Sequence, residues 1–360
     1  MKSAIVFCRL LLPLSGAISL IGCATMTLPT STFPATTSTN PTPSPIPPPT
    51  STPPPAPAPQ IQSPSVYVGD DTHTDFYRIL VYPASATGPT DFTLAMGDPT
   101  HSLSKVSVDA AGNVYVLGSD FKNGDQAIRE YSAASLFAAP VRSLPVGQGT
   151  KIPAAGGLNV SPAGEIFVAD GTGLSVFSAT ADGNADPERH ITGSFLLHSG
   201  LGTVDTNDNA YVVNGSDTPI VVYGPTADGN ALPIRALGGD LTQFDGGYIG
   251  GITTDSTGNL YVACICRHIF GVLEFGPSAN GNTAPIRTIG GPLTGMYPYF
   301  AGLGVAVDSA GYLYVNAIIA NSGLPAIFKF SPTAGGDVAP DSIVTLSGWL
   351  DSEDSHIAVH

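Results

Sequence analysis

The chain has 360 residues, of which 11% are charged, and 13 Lys and Arg stand against 28 Asp and Glu for a formal charge of −15. Nucleic acids and anionic membranes are held mainly by clustered Lys and Arg, and a chain this acidic with no basic patch excludes charge-driven binding to either. A total of 42 Gly and 33 Pro, with many short Val, Ile and Tyr runs broken by Gly, Asn, Asp and Pro, excludes a mainly helical protein and predicts an all-β one.

At the N-terminus, Lys2 and Arg9 flank the start of an apolar run from Leu10 to Ile21 that Pro13 interrupts. The run is too short for a permanent bilayer-spanning helix and reads as a secretory signal. It ends in Leu20-Ile21-Gly22-Cys23, a sequence that resembles the lipobox of bacterial lipoproteins; the alternative is an ordinary signal peptide with a chance cysteine. The resemblance implies removal of residues 1–22, diacylglyceryl attachment at Cys23 and a cell-envelope location anchored in the membrane by lipid. Ala24 follows the cysteine where Asp would otherwise stand, which for this family implies the outer membrane if the cell is Gram-negative.

Residues 24–64 contain 14 Pro, 10 Thr and no charge. They cannot bury a core, and Pro-rich chain favours an extended path of about 3.1 Å per residue. Residues 23–64 are therefore expected to be a tether reaching up to about 120 Å at that rise. The Thr/Pro density also permits O-glycosylation, with a bare spacer the simpler reading.

From residue 65 onward one strand phrase recurs six times, centred on Tyr67, Tyr115, Phe167, Tyr211, Tyr261 or Tyr314, and the last five copies are entered from a turn of the form Asp-x-x-Gly-Asn or a variant of it. These aromatics are 48, 52, 44, 50 and 53 residues apart, the repeat length of four-stranded propeller blades. A second strand follows each (Ile128 to Tyr131 and Val272 to Phe275 are examples), then a turn such as Ala181-Asp182-Gly183-Asn184. A third strand reads Arg189-His190-Ile191, Arg235-Ala236-Leu237 or Arg287-Thr288-Ile289, and a fourth, small and apolar, ends at Asp109, Ser161, Asp205, Asp255 or Asp308. That fourth strand is the innermost one of the next blade. The first blade lacks it, and His356-Ile357-Ala358-Val359-His360 matches its pattern. The expected fold is an all-β, six-bladed β-propeller over residues 65–360, with blade 1 closed by the C-terminal strand.

Val305-Ala306-Val307-Asp308-x-x-Gly311-x-Leu313-Tyr314-Val315 and Ile252 to Val262 resemble the repeats of NHL propellers. More distantly they resemble the gluconolactonase/regucalcin-like group and virginiamycin B lyase. The NHL resemblance implies a binding or scaffolding module. The more distant ones imply a hydrolase or lyase acting on a lactone-like or cyclic substrate in the central channel.

The recurring Asp109, Asp205, Asp255 and Asp308 suggest calcium, but a calcium site needs six to eight converging oxygens and these carboxylates belong to separate blades. Capping of backbone N–H groups in the turn is the favoured reading. The Ala-Asp-Gly-Asn turns read the same way, with Gly and Asn supplying the positive φ of a tight hairpin. Cys264 and Cys266, followed by His268, leave three readings open: buried free thiols, a Cys-x-Cys disulfide requiring the strand to bend into a loop, or three ligands of a metal site without an evident fourth. Loops entering the inner strands carry His101, Lys151, His198, Tyr248, Tyr297, Tyr299 and Asp354. Lys151, Tyr248, Tyr297, Tyr299 and Asp354 are the binding candidates. Lys105 and His356 take inner-strand positions held by Gly in other blades, and as neighbours near the axis they would form an acid/base or anion-binding pair. With His101 and His198 they make up the catalytic alternative. No cofactor motif is present. The expected function is an extracytoplasmic, membrane-anchored binding module for a protein, peptide or glycan, with the channel enzyme as the rival.

Overall fold

A computed structural model describes residues 64–71, 77–89, 91–96, 105–120, 123–135, 139–196, 200–214, 219–244, 247–266, 269–297, 303–346 and 357–360. The chain divides into two units after Ala56, and every described residue belongs to the second. The expected signal, the expected lipidation site Cys23 and the expected tether up to residue 63 lie outside the described residues, as do His101, His198, His268, Tyr299, Asp354 and His356.

The folded unit is six antiparallel sheets. The strands centred on the repeating aromatics are second from the axis: Ser65–Asp71, Val114–Ser119, Ile166–Ala169, Ala210–Val213, Leu260–Cys266 and Leu313–Ile319. Each pairs on its inner side with Ile357–Val359, Lys105–Val108, Gly157–Val160, Gly200–Val204, Tyr248–Thr254 or Gly304–Val307. On the other side lies a third strand, then a short outer one, such as Arg189–Ile191, Arg235–Leu237, Arg287–Gly290 and Ser342–Thr345. Each inner strand approaches the inner strands of both neighbouring blades, and the cycle closes from Gly304–Val307 through Ile357–Val359 to Lys105–Val108. Blade 1 takes its inner strand from the C-terminus, with Val66 opposite Val359, Tyr67 opposite Ala358 and Val68 opposite Ile357.

The second strands read as unbroken apolar runs because both their faces are covered. The six central aromatics are all buried, and six apolar clusters occupy the six seams between blades. Around the axis the inner strands come close enough to exclude a Cβ. One added at Gly202 meets Ile252 Cδ1, and one at Gly250 meets the backbone oxygen of Leu303. Both glycines fall at bulges in their strands, between Leu201 and Thr203 and between Ile249 and Gly251.

Two devices join blades 2 to 5 each to the next. The first is a cation on the outer strand. Arg142, Arg189, Arg235 and Arg287 donate to the carbonyls of Ala179, Ala227, Pro277 and Pro332 on the following blade. The guanidinium carbons of Arg189, Arg235 and Arg287 lie 5.7, 5.4 and 5.9 Å from the ring centroids of Phe167, Tyr211 and Tyr261. Lys329, on the third strand of blade 6, donates to Ala84 O of blade 1 at 2.9 Å.

The second device corrects the reading of the Ala-Asp-Gly-Asn turns. Gly183, Gly229 and Gly281 do have positive φ, but the neighbouring Asn residues do not, because the turns do more than close hairpins. Each is laid on the outer edge of the preceding blade. Asp228 Oδ1 accepts His190 N–H at 2.9 Å, Gly229 N–H donates to His190 O at 3.0 Å, and Thr192 N–H donates to Gly229 O at 2.7 Å. Asn280 and Gly281 repeat this on Ala236, and Asp182 and Gly183 on Ser143. Gly336 holds Thr288 O and Gly290 N–H in the same manner. A bare sheet edge is a template for unwanted pairing, and the tips cover it.

Candidate functional site

The inner strands pair on one side only, so six β-edges face the axis. They enclose a channel of about 950 Å³ lined by all six inner strands, from Lys105, Gly200 and Tyr248 at one mouth to Asp109, Asp308 and His360 at the other. Its walls carry backbone N–H and C=O groups that the sheets leave for a ligand or water, with Ser107, Asn159, Thr203 and Thr253 among them. One such wall group is met within the ring, where Val160 N–H donates to Ser107 Oγ at 3.1 Å.

The acidic residues at the channel exit are spent on their own turns. Asp308 Oδ1 accepts the N–H groups of Ala310 and Tyr312, both at 2.9 Å, and Oδ2 accepts the Tyr314 hydroxyl at 3.0 Å. Asp109, Asp205 and Asp255 do the same with Tyr115, Tyr211 and Tyr261 and also take an Asn side-chain amide. Where blade 3 has Ser161 for the acid it has Phe167 for the tyrosine, whereas blade 1 keeps Tyr67 with His360 at the acid's place. At Asp255, burial raises the pKa, but hydrogen bonds from Asn259 and Thr257 outweigh it and hold the carboxyl below its usual value. Among the described residues no three His, Cys, Asp or Glu side chains gather as a metal site.

Of the described residues singled out from sequence, two stand at the opposite mouth. Lys105 and Tyr248 line the channel, and Tyr248 is 43% exposed. Tyr297 is exposed on a two-residue strand, Met296–Tyr297, beside Ile318 and Ile319 of blade 6. Lys151 is not in the channel: it pairs with Asp186 at the seam of blades 2 and 3, and its N–H donates to Asn184 Oδ1 at 2.8 Å. Cys264 and Cys266 are joined as a disulfide with their Cα atoms 5.3 Å apart. The bond forms within the strand, which runs on to Cys266, so no loop is needed. It consumes both thiols and thereby removes the free-thiol and metal readings for this pair. Cys264 lies opposite Ile249 and Tyr248 lies opposite Ile265, so the bridge sits in the strand that pairs with the one carrying Tyr248.

Sequence reasoning missed a cluster on blade 3. Buried Asp170 accepts the N–H groups of Thr172 and Gly173, both at 2.9 Å, the Thr172 hydroxyl at 2.7 Å and the Ser175 hydroxyl at 2.5 Å. His190 Nε2 stands 3.3 Å from the same carboxylate. Burial raises the Asp170 pKa, but the Ser175 and Thr172 hydrogen bonds and the nearby His190 bring it below the usual range. The Ser175 hydroxyl and His190 both address the Asp170 carboxylate, and the group works as a clamp on the hairpin. The signal in sequence was the short Asp170-Gly171-Thr172-Gly173 turn, where Asx capping is expected.

No family model and no curated protein matches the chain. Similar solved structures include a protein of unknown function from Bacteroides thetaiotaomicron, with 13% identity, 70% of this chain and 66% of that one covered, and a TM-score of 0.46. Others are a protein from Lactobacillus plantarum (15% identity, 76% and 80% covered, TM-score 0.45) and a regucalcin, titled a calcium-binding protein, from Agrobacterium tumefaciens (13%, 68% and 74%, 0.41). The chain spans just under two thirds of the Bacteroides protein's length. The likeness to regucalcin-like propellers expected from the repeat is therefore present, and distant.

Proposed function

We propose that the propeller is a binding module working outside the cytoplasm, tethered through Cys23, and that its ligand is a glycan or peptide seated at the Tyr248 mouth. One observation carries this reading. Six inner-strand edges supply backbone donors and acceptors around a channel of about 950 Å³, and an exposed tyrosine stands in its lining. An aromatic face beside a ring of polar groups suits sugar rings or extended peptide, since Tyr gives large contact area at low entropic cost.

The test is thermal unfolding of the full chain against peptidoglycan fragments, neutral oligosaccharides, peptides and divalent metal ions. A ligand that binds only the folded state raises the midpoint, by about 2.7 kcal/mol at one hundred times Kd. A glycan or peptide is expected to raise it, and Tyr248→Ala to remove the rise while leaving the unliganded midpoint in place. A rise with a metal ion alone, lost in Lys105→Ala, would overturn the proposal in favour of chemistry in the channel.

A further inference from the structure

In blades 3 and 4 the tip of the next blade occupies the outer edge through three bonds, as Asp228 and Gly229 do on His190 and Thr192, and in blade 2 through two. Among the described residues the outer edges of blades 1 and 6 carry no such tip; the blade 2 tip beside blade 1 has no Asx-Gly pair at all, and blade 6 is the edge of interest. The equivalent tip for blade 6 belongs to blade 1. Its length matches the others: Ala86 N–H donates to Pro83 O as Ala279 N–H does to Gly276 O, and Thr93 N–H donates to Val81 O as Ile286 N–H does to Glu274 O. The buried Ala86 likewise matches Ala181 and Ala279.

What differs is the chemistry at the contact positions. Thr87 stands where Asp182, Asp228 or Asn280 provides the acceptor, and Pro89 where Asn184, Asn230 or Asn282 stands. The tip turns inward instead. Asp91 Oδ2 accepts the N–H groups of both Thr87 and Gly88 at 2.9 Å, so Gly88 has no N–H left for blade 6, and the Pro89 carbonyl is taken by the Tyr82 hydroxyl at 3.1 Å. On blade 6, Ile343 and Thr345 hold the places of Ala236 and Gly238 in blade 4 by their register with the third strand. Among the described residues no tip bridges them.

We infer that the outer edge of blade 6, at Ile343 and Thr345, is a docking edge for an extended polypeptide tip carrying Asp-Gly or Asn-Gly, supplied by a partner protein. The occupant follows from the molecule itself. On three equivalent edges an Asx carboxyl or amide accepts the strand N–H, and the following glycine bridges the strand in parallel register or donates to its carbonyl. Strand addition at a free edge draws affinity from such main-chain bonds. A second copy of the chain is the poorer occupant, because its Asp182, Asp228 and Asn280 tips are already engaged on its own blades.

The probe is a fluorescent peptide with the sequence of residues 224–234, the blade 4 tip, titrated against the full chain by anisotropy. Saturable binding is expected, weakened at least tenfold when the peptide's Asp is replaced by Ala. Thr345→Pro removes an outward N–H at an edge position, where proline is tolerated, and is expected to weaken binding at least tenfold with an unchanged melting midpoint. A second variant tests the edge without altering blade 6: Thr87→Asn with Pro89→Asn and Asp91→Ala restores the usual tip chemistry. It is expected to abolish peptide binding and raise the midpoint. No binding by the wild-type chain, equal binding of the Asp-to-Ala peptide, or equal binding by the restored-tip variant would each overturn the inference. So would self-association of the wild-type chain that the restored tip abolishes.

Discussion

The turn aspartates and strand tyrosines act as pairs, and the pairing fixes how the protein responds to alkali. A tyrosine whose hydroxyl donates to a carboxylate in a dry seam cannot ionise without losing that bond and placing two negative charges together. Burial, with Glu130 and Asp109 adding to it, drives the Tyr115 pKa well above its normal value, and burial with Asp308 does the same at Tyr314. Tyr67 is pushed up to about 12, first by burial and then by Asp109. A raised folded-state pKa gives stability that is complete below the unfolded value near 10 and is lost as pH rises through the folded one. For Tyr67 alone that is about 2–3 kcal/mol, at roughly 1.4 kcal/mol per unit. The unfolding midpoint is therefore expected to hold steady up to about pH 10 and fall steeply above it. Tyrosinate absorbance at 295 nm should appear together with loss of the fold. Early titration of these tyrosines in a still-folded protein would refute the account.

At the scale of elements, the strands were legible because each buries both faces and so shows a plain apolar run at a regular interval. The clamps between blades were not, because their partners lie 37 to 47 residues apart in sequence and a turn written Asp-Gly-Asn looks the same whether it closes a hairpin or covers a neighbour's edge. The recurring outer-strand arginines were visible as a pattern, yet nothing local showed that they bridge carbonyls of the next blade. The Cys264–Cys266 bond needed a slightly shortened strand, which residue spacing does not reveal. Of the mouth, Tyr248 and Lys105 were found from their place in the repeat, whereas the Asp170 cluster depends on a cross-strand neighbour, Ser175 opposite His190. Two inner-strand glycines near the axis allow a graded test. A Cβ at Gly202 strikes the far end of the flexible Ile252 side chain, but one at Gly250 strikes the Leu303 backbone. Overpacking costs about 1–3 kcal/mol where neighbours can shift and more where they cannot. Gly250→Ala is expected to lower the denaturant midpoint clearly more than Gly202→Ala at an unchanged slope. The reverse order would mean that the ring does not pack as described.

For the whole molecule the decisive feature is that the ring is closed without a covalent bond. Three residue pairs hold Ile357–Val359 to blade 1, and the last residue is tied there twice, with Ser65 N–H donating to His360 O at 2.7 Å and His360 N–H to Ser65 O at 3.0 Å. The same seam lacks the Asx-Gly clamp. It also carries Asn316, fully buried with neither side-chain polar atom hydrogen-bonded and, two residues from Tyr314, on the strand face that packs toward blade 1. A buried amide without partners costs about 1–3 kcal/mol, so this seam is a weak one. Removing residues 357–360 strips blade 1 of its inner strand, and Ile357 alone is worth about 2–5 kcal/mol if buried aliphatic truncations are a guide. The truncated chain is expected to melt at a lower midpoint and with reduced cooperativity. Because Ser65 and His360 already face each other as a bonded antiparallel pair, an Asn-Gly link between them has the geometry of a two-residue hairpin. A permutant running from Gly124 to His360, through that link and on from Ser65 to Asn123, is expected to melt cooperatively at or above the parent midpoint. If truncation leaves the midpoint unchanged, or the link lowers it, the C-terminal strand is not what shuts the ring.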